Sequence, residues 1–421
     1  MTVPKNIIDS GRNERVTIGR YAEMDLQGTS RECNGAVFLL HSAPIQDAHV
    51  EVDGWTVKVA KGADAVVAYG GGGPRTFTET YDTALTAANN ALDYMSVRGL
   101  CDVQIRNAYD DCLVWWPDGA DVVVRANVVW TQTFHASAKV SAVAADGTAL
   151  PQVLPTVVKH DAFRFIRMSR TSEYLFDAYR NMFLAFEAVL SDIYPQPKGM
   201  KESAWFKEAL RKADGLVPIS PILAPSGVPS SIDWVYENVY RDARSALMHA
   251  KQGRAYHLPQ DDRARQQLQA SLNNMWLYIR GLLDTHLGVA HMSGGLFQGG
   301  FHMLAEPFLS GQIAAVTADA TPLALNDERF APTGKPIVEL TSGPVVAAEP
   351  FLSTVLAWCD AAELGHLPTI GRIESTDTLG NLQVLSSLVG PLDLGSSVHR
   401  FEMMLGIRGV NAAGPRTPFS A

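Results

Sequence analysis

The chain has 421 residues, of which 47% are hydrophobic and 19% are charged. This length and composition are typical of two or three globular domains and exclude a largely disordered chain. The formal net charge of −9 excludes a protein whose whole surface binds nucleic acid without specificity, because such proteins are normally basic.

The sequence predicts a cytoplasmic protein without membrane contact. The first residues, MTVPKNIIDSGRNERV, contain no apolar stretch after their charges, so they do not resemble a signal peptide. No run approaches the ~18 apolar residues that a membrane-spanning helix needs. The cysteines form no C-x-x-C pair and no zinc-finger spacing, which favours buried, reduced thiols; they are Cys33, Cys101, Cys112 and Cys359.

Residues 1–155 are predicted to form an α+β domain. The glycine run Gly70–Gly73 is not followed by Gly-Lys-Ser/Thr, so it favours a loop before a helix over a phosphate-binding loop. That helix is predicted over Thr78–Arg98, where alanines recur at helical spacing before Gly99. Strands are predicted at Val16–Met24, Ala36–His41, Val50–Val59, Ala65–Tyr69, Cys112–Trp116, Asp121–Arg125 and Val128–Thr131, with Val140–Val143 as a further candidate.

Residues 156–292 are predicted to form a bundle of four to five helices. Ser230 or Ser231 is expected to cap the helix that begins near Trp234. Between His160 and Ala290 there are 16 Lys/Arg and 14 Asp/Glu, a net charge of +2, so a basic patch is easier to form here than elsewhere. The helices are predicted at Asp161–Arg170, Asp177–Ile193, Glu202–Ala213, Trp234–Gly253 and Asp261–Leu287.

Residues 293–421 are predicted to form a mostly-β domain, for which a sandwich is one arrangement. One short helix is predicted at Leu352–Glu363. The candidate strands are Gln312–Thr317, Pro336–Leu340, Val345–Ala348, Leu382–Ser387 and Arg400–Ile407. The expected fold class is therefore an α+β multidomain protein with a central helical bundle.

The predicted helix Trp234–Gly253 contains the segment Arg244-Ser245-Ala246-Leu247-Met248-His249. His249 could move protons near neutral pH, and Arg244 could hold an anionic group such as a phosphate. Residues five apart lie about 140° apart on an ideal α-helix, so a bend or a second subunit is needed to bring the two together.

This Arg-polar-x-x-x-His segment resembles the motif of the HEPN superfamily (higher eukaryotes and prokaryotes nucleotide-binding). The upstream helix Phe176–Leu190 is similar to the one that opens ApeA-like HEPN domains, and Ala91–Asp102 faintly resembles MauJ-like proteins. The resemblance covers residues 160–290 and implies a dimer in which the Arg/His helices of two protomers face one cleft. It also implies RNA as the partner and a metal-independent endoribonuclease, such as a defence or stress effector. The Arg and His suit that activity, since the 2′-OH of RNA can act as the nucleophile without a metal-bound water.

Four further residues are candidates to support the site. Arg241 lies three residues before Arg244, and Tyr236 and Tyr240 lead into Arg244 at four-residue spacing. Glu187, on the earlier helix, could orient Arg244. The alternatives are that the two tyrosines are core aromatics and that Glu187 only satisfies a buried Arg.

Other readings of the sequence stay open. The bundle could be a non-catalytic scaffold for dimerisation, in which the motif only ties helices together, or an accessory protein of a methylamine-utilisation-like gene cluster. No cofactor is expected, because Walker, dinucleotide-binding and Gly-x-Ser-x-Gly sequences are absent. No metal site is expected either, because His286, His291 and His302 have no carboxylate at ligand spacing.

Overall fold

A computed structural model describes residues 34–70, 72, 76–106, 108–119, 121–133, 157–172, 174–244, 247, 262–290, 298–319, 336–349, 351–365, 367, 369–378, 382–393 and 398–410. The chain divides into two compact units. The first, called the sheet unit, contains residues 1–133 and 296–410, and the second, called the helical unit, contains residues 134–295. Within the described ranges, no helix has the length and apolar character that crossing a membrane requires.

The sheet unit is built on a nine-stranded sheet with the order β2-β3-β4-β1-β5-β6-β13-β10-β9. A second sheet has four strands in the order β12-β11-β7-β8. The strands are β1 Asn34–Leu39, β2 Ala48–Val52, β3 Trp55–Val59, β4 Ala65–Gly70, β5 Asp111–Asp118, β6 Asp121–Thr133, β7 Ile313–Thr317, β8 Ile337–Glu339, β9 Thr341–Glu349, β10 Leu352–Asp360, β11 Thr369–Thr376, β12 Leu382–Asp393 and β13 Val398–Val410.

The N-terminal and C-terminal parts of the described chain share the large sheet. Strand β13 pairs in parallel with β6, from Val398 beside Val122 to Val410 beside Thr133. The expected division into three consecutive domains therefore differs from the structure, in which the N-terminal and C-terminal segments form one unit. The reason is backbone pairing: β6 has β5 on one side and needs another strand on the other to satisfy its second row of hydrogen bonds.

The N-terminal elements agree with the local sequence signals. Helix α1, Phe77–Val97, begins at Thr76, whose side chain and that of Glu79 form a reciprocal capping box. Its alanine-rich face packs on the sheet, with Ala84, Ala88 and Ala91 fully buried. The strands predicted between residues 36 and 69 and between 112 and 131 are confirmed, whereas the strands predicted at Val16–Met24 and Val140–Val143 lie outside the described residues.

The C-terminal elements agree less well. All five predicted strands are present, but they are divided between the two sheets rather than forming a domain of their own. The helix predicted at Leu352–Glu363 is wrong, because Leu352–Asp360 is strand β10. Its backbone groups pair with β9 and β13 on either side, and this long-range pairing overrides the local helical pattern. Only a short helix, Ala361–Leu364, follows.

The helical unit contains helices at the predicted places among the described residues, and most of the predicted helix beyond Arg244 lies outside them. Ser230 accepts a hydrogen bond from the Asp233 amide and so caps the helix beginning at Ser231, as expected. In chain order the unit has α2 Asp161–Arg170, α3 Leu175–Ile193, α4 Glu202–Asp214, α5 Ser231–Val235, a π-helix Tyr236–Arg244 and α6 Asp262–Leu287. Helix α7, Gln298–Ser310, belongs to the sheet unit.

Helix α3 is the centre of the helical unit. It packs against α2, α4 and α6, so a single stripe of apolar residues would not be enough. Its buried residues occupy most of the helix surface and include Tyr179, Phe183 and Phe186, as expected for a helix surrounded by others. Two of these side chains, Tyr179 and Phe183, contact residues of the π-helix.

Candidate functional site

The segment that carries the Arg/His motif is not a regular α-helix. After five α-helical residues the backbone continues as a π-helix over Tyr236–Arg244. In a π-helix each hydrogen bond spans five residues instead of four, and such turns are rare and frequent at functional sites. The wider turn brings residues four and five positions apart close to one face. Tyr236, Tyr240 and Arg244 consequently lie on one side of the helix, where they contact one another.

Helix α3 supports this unusual backbone. The Tyr179 hydroxyl is fully buried and lies 3.4 Å from the carbonyl oxygen of Val239, to which it donates, and 3.2 Å from the Ser271 hydroxyl of α6. Burial raises the pKa of the Tyr179 hydroxyl, which keeps it protonated as a donor. A carbonyl in the middle of the π-helix is thereby held by a side chain of a neighbouring helix.

The aromatic side chains of the π-helix form a row that ends on Arg244. The rings of Tyr236 and Tyr240 are stacked with centroids 5.3 Å apart. The Lys207 ammonium lies 4.3 Å from the centre of the Tyr236 ring. At the other end, the Arg244 guanidinium lies 5.2 Å from the Tyr240 ring and 5.7 Å from the ring of Phe183. These contacts are of the cation–π type and hold the guanidinium in place.

Two carboxylates approach the same nitrogen of Arg244. Nη2 donates to Oε1 of Glu202 at 3.3 Å, and Oε1 of Glu187 lies 3.9 Å from Nη2. The Arg244 side chain is 25% exposed, Glu187 is 20% exposed and Glu202 is 50% exposed. We call Arg244, Glu187, Glu202 and Tyr240 the Arg244 cluster.

Burial determines the protonation behaviour of the cluster. Desolvation raises the pKa of Glu187, Arg244 opposes that rise, and the charge of Glu202 adds to it. Burial also raises the pKa of Tyr240, and its hydrogen bond and charge interaction with Glu202 act in the same direction. Tyr240 is therefore neutral at physiological pH and can donate a hydrogen bond.

A small pocket opens beside Arg244. Its volume is about 30 Å³, which is more than the roughly 10–15 Å³ that one water molecule needs. Its lining is mostly apolar, although the side chains of two arginines take part in it. The pocket is lined by Tyr179, Arg180, Phe183, Leu184, Arg244 and Leu247.

The structure brings together only part of the set expected from the sequence. Glu187 and Tyr240 both lie beside Arg244, and Tyr236 stacks on Tyr240. The Arg241 guanidinium pairs instead with Glu237 and Asp242 of its own π-helix. His249 lies outside the described residues, so its distance from Arg244 stays an expectation.

Sequence reasoning missed Glu202, which is the nearer of the two carboxylates. Glu202 is the first residue of α4, where an acidic side chain is explained by the helix dipole alone. The contact joins residues 42 positions apart, and no local pattern marks it. The neighbours Phe183 and Lys207 were missed for the same reason.

The histidines considered as metal ligands have other partners. His286 Nε2 lies 2.8 Å from Asp192 Oδ2, which links α6 to α3 within the helical unit. His302 Nδ1 lies 2.9 Å from the Ser353 hydroxyl, which links α7 to β10 within the sheet unit. His291 lies outside the described residues. In the part of the chain that the structure describes, no group of three or more His, Cys, Asp or Glu side chains is arranged to hold a metal ion.

Comparisons of the chain with protein-family models, with curated proteins and with solved structures found no match. The resemblance to HEPN proteins consequently rests on the motif and its neighbouring helices. For function, the geometry around Arg244 is the main guide.

Proposed function

We propose that the helical unit binds RNA and cleaves it without a metal ion, as a HEPN-type endoribonuclease. In this proposal Arg244 binds the scissile phosphate and His249 transfers protons. Glu187 orients Arg244 from the neighbouring helix α3, and the guanidinium packs on the Tyr240 ring. Self-association through the helical unit would place two such sites in one cleft.

The observation that carries this proposal is the environment of Arg244. Its guanidinium packs against two aromatic rings, lies 3.9 Å from the partly buried carboxylate of Glu187 and is a quarter exposed beside a small pocket. A guanidinium fork held in this way is preorganised to receive a phosphate oxygen and to stabilise the charge that develops there.

The chemistry needs only groups of the RNA and of this chain. The 2′-oxygen attacks the adjacent phosphorus and forms a new O–P bond, while its proton passes to a base such as neutral His249. The bond from phosphorus to the 5′-oxygen breaks, and that oxygen takes up a proton. The products are a 2′,3′-cyclic phosphate and a 5′-hydroxyl, and no oxidant or metal-bound water takes part.

A non-catalytic scaffold is the second candidate, and one observation favours it. Glu187 and Glu202 both lie beside the Arg244 guanidinium, as expected if Arg244 only links the π-helix to α3 and α4 through ion pairs. In that case Arg244 contributes to stability rather than to catalysis. Replacing Arg244 would then lower the free energy of unfolding and leave RNA unaffected.

The test is incubation of the full chain with total RNA in EDTA, beside Arg244→Ala, His249→Ala and Arg211→Ala. Arg211 is the matched control because it pairs with Glu208 on the same helix, away from the cluster. We expect fragments with cyclic-phosphate ends from the wild type and Arg211→Ala. Loss of a transition-state donor lowers such rates by about 10²–10³, so both other variants should leave the RNA intact. Equal RNA profiles for all four proteins would rule out the nuclease and support the scaffold.

A further inference from the structure

The position that a phosphate would take on Arg244 is already occupied. The Arg244 guanidinium donates from Nη2 to Glu202, whose carboxylate is half exposed at the start of α4. A phosphate oxygen uses the same kind of hydrogen bond and the same charge complementarity. Glu202 and an incoming phosphate are therefore competitors for one donor.

The two carboxylates differ in how readily they can leave. Glu187 is mostly buried on the central helix α3 and is 3.9 Å from Nη2. Glu202 lies closer to Nη2, at 3.3 Å, but its side chain is 50% exposed at the start of α4. Glu202 also interacts with the Tyr240 hydroxyl, but an exposed ion pair contributes little free energy, so water can solvate Glu202 when its side chain rotates away from both partners. Glu187 has no comparable access to solvent, and it stays as the anchor of Arg244.

The net charge around Arg244 also depends on Glu202. Arg244 contributes +1 and the two carboxylates contribute −2, so the closed cluster repels an anion. The nearby Lys207 and Arg180 do not compensate, because Lys207 is paired with Asp233 at 2.7 Å and Arg180 with Asp177 at 3.1 Å. With Glu202 in place, Arg244 and the two carboxylates have a net charge of −1. When Glu202 moves away, Arg244 and Glu187 together are neutral.

We propose that Glu202 is a built-in competitor for the phosphate-binding position on Arg244 and sets the affinity of this site for phosphate groups. This inference rests on the proposed function for its biological meaning, since the phosphate would be that of RNA. Its physical content, an anion position closed by an exposed glutamate, can be tested with a simple anion.

The first experiment measures pyrophosphate binding to the full chain by isothermal titration calorimetry. The variants are Glu202→Gln, Glu208→Gln, Arg244→Ala and the double variant Glu202→Gln/Arg244→Ala. Glu208 is the matched control because it is a second glutamate of α4 that pairs with an arginine, Arg211, at 2.6 Å. Thermal unfolding of each variant checks that the helical unit is intact.

We expect Glu202→Gln to lower the Kd for pyrophosphate at least fivefold, and Glu208→Gln to leave it unchanged. The gain should vanish in the double variant, because Arg244 is the group that Glu202 blocks. A Kd for Glu202→Gln within twofold of the wild type overturns the inference, and so does a gain that persists without Arg244. Absence of pyrophosphate binding by Glu202→Gln overturns it as well.

A parallel titration with a fluorescently labelled single-stranded RNA separates this inference from the proposed function. If Glu202→Gln gains affinity for pyrophosphate but no variant binds RNA, the RNA function fails and the role of Glu202 stands. If the wild type binds and cleaves RNA but Glu202→Gln changes neither ligand's affinity, the function stands and the inference fails.

Discussion

At the scale of single residues, Gly35 shows how closely the sheet unit is packed. Gly35 lies on β1 opposite Trp115 of β5, and both are buried. A Cβ built on Gly35 would overlap the Trp115 ring. The glycine is required because the neighbouring strand places an indole against its backbone, a recognised reason for glycine inside a strand.

We predict that Gly35→Ala lowers the free energy of unfolding by about 1–3 kcal/mol or more, because the indole must shift in a closely packed core. Gly215→Ala is the control. Gly215 has a right-handed φ of −70° at the end of α4, and an added Cβ there meets only the Lys212 carbonyl at 3.4 Å. Urea denaturation of both variants checks this, and equal effects would contradict the packing explanation.

Glu374 is a second residue with a measurable consequence. It is fully buried on β11, where it contacts Arg372, which in turn lies 3.5 Å from Asp319. Desolvation raises the pKa of Glu374 to about 6, against a usual value of 4.5; Arg372 opposes the rise and Asp319 adds to it. Protonation of this side chain therefore favours the folded state.

The raised pKa predicts a loss of stability with increasing pH. The contribution of Glu374 is fully present below pH 4.5 and is lost as the pH rises through about 6. The shift corresponds to about 2 kcal/mol. Glu374→Gln should lack this part of the pH dependence, whereas Glu339→Gln, an exposed change on β8 of the same sheet, should retain it. Urea denaturation at pH 4.5 and pH 7 measures the difference, and parallel profiles for the wild type and Glu374→Gln would disprove it.

At the scale of elements, the π-helix Tyr236–Arg244 is the feature that the sequence did not predict. Spacing alone indicated an ordinary helix, and the start at Ser231 after the Ser230 cap is confirmed. Within this π-helix the Val239 carbonyl accepts a hydrogen bond from Tyr179, a side chain of α3 that is 60 positions away in the sequence. A local sequence pattern predicts a helix, but it does not predict which side chains of a neighbouring helix bind to its backbone.

We predict that Tyr179→Phe loosens the π-helix, because the Val239 carbonyl loses its side-chain donor. The loss of a hydrogen bond of this type costs about 1 kcal/mol, and amide hydrogen exchange near Tyr240 should become faster. Tyr278→Phe is the control, since its buried hydroxyl donates at 2.9 Å to the Val217 carbonyl, outside the π-helix. It should lower stability to a similar extent without faster exchange near Tyr240. Unchanged exchange in Tyr179→Phe would show that Tyr179 does not support this backbone.

At the scale of the whole molecule, the parallel pairing of β13 with β6 decides the organisation of the chain. β13 lies between β6 and β10 in the nine-stranded sheet. Removing the C-terminal segment would leave the long strand β6 as an edge with unpaired backbone groups. The helical unit has its own core and does not depend on this pairing.

We predict that a fragment of residues 1–155 expressed alone does not fold to a stable sheet, whereas residues 156–292 do fold. Adding residues 293–421 in trans should rescue the first fragment, because it supplies β13, β10 and β9. Circular dichroism and cooperative thermal unfolding distinguish these outcomes. Cooperative unfolding of the first fragment alone would restore the three-domain division.

Local sequence was sufficient for much of the secondary structure. The alanine face and capping box of α1, the Ser230 cap and the hairpin turn at Asp53-Gly54, where φ is 49° and 81°, all depend on residues close in the chain. The α+β class and the helical segment between residues 156 and 292 followed from the same short-range patterns. Glu187 was also named from the sequence as a residue that could orient Arg244, and the two side chains lie 3.9 Å apart.

Only the tertiary structure decided how these pieces combine. The β6–β13 pairing joins residues more than 270 positions apart, Tyr179 of α3 donates to a carbonyl of the π-helix, and Glu202 reaches Arg244 across 42 positions. Helices and turns are encoded by interactions within a few residues, so they can be read from sequence. Strand partners and ion-pair partners are set by which surfaces can bury each other, and that is determined only when the whole chain packs.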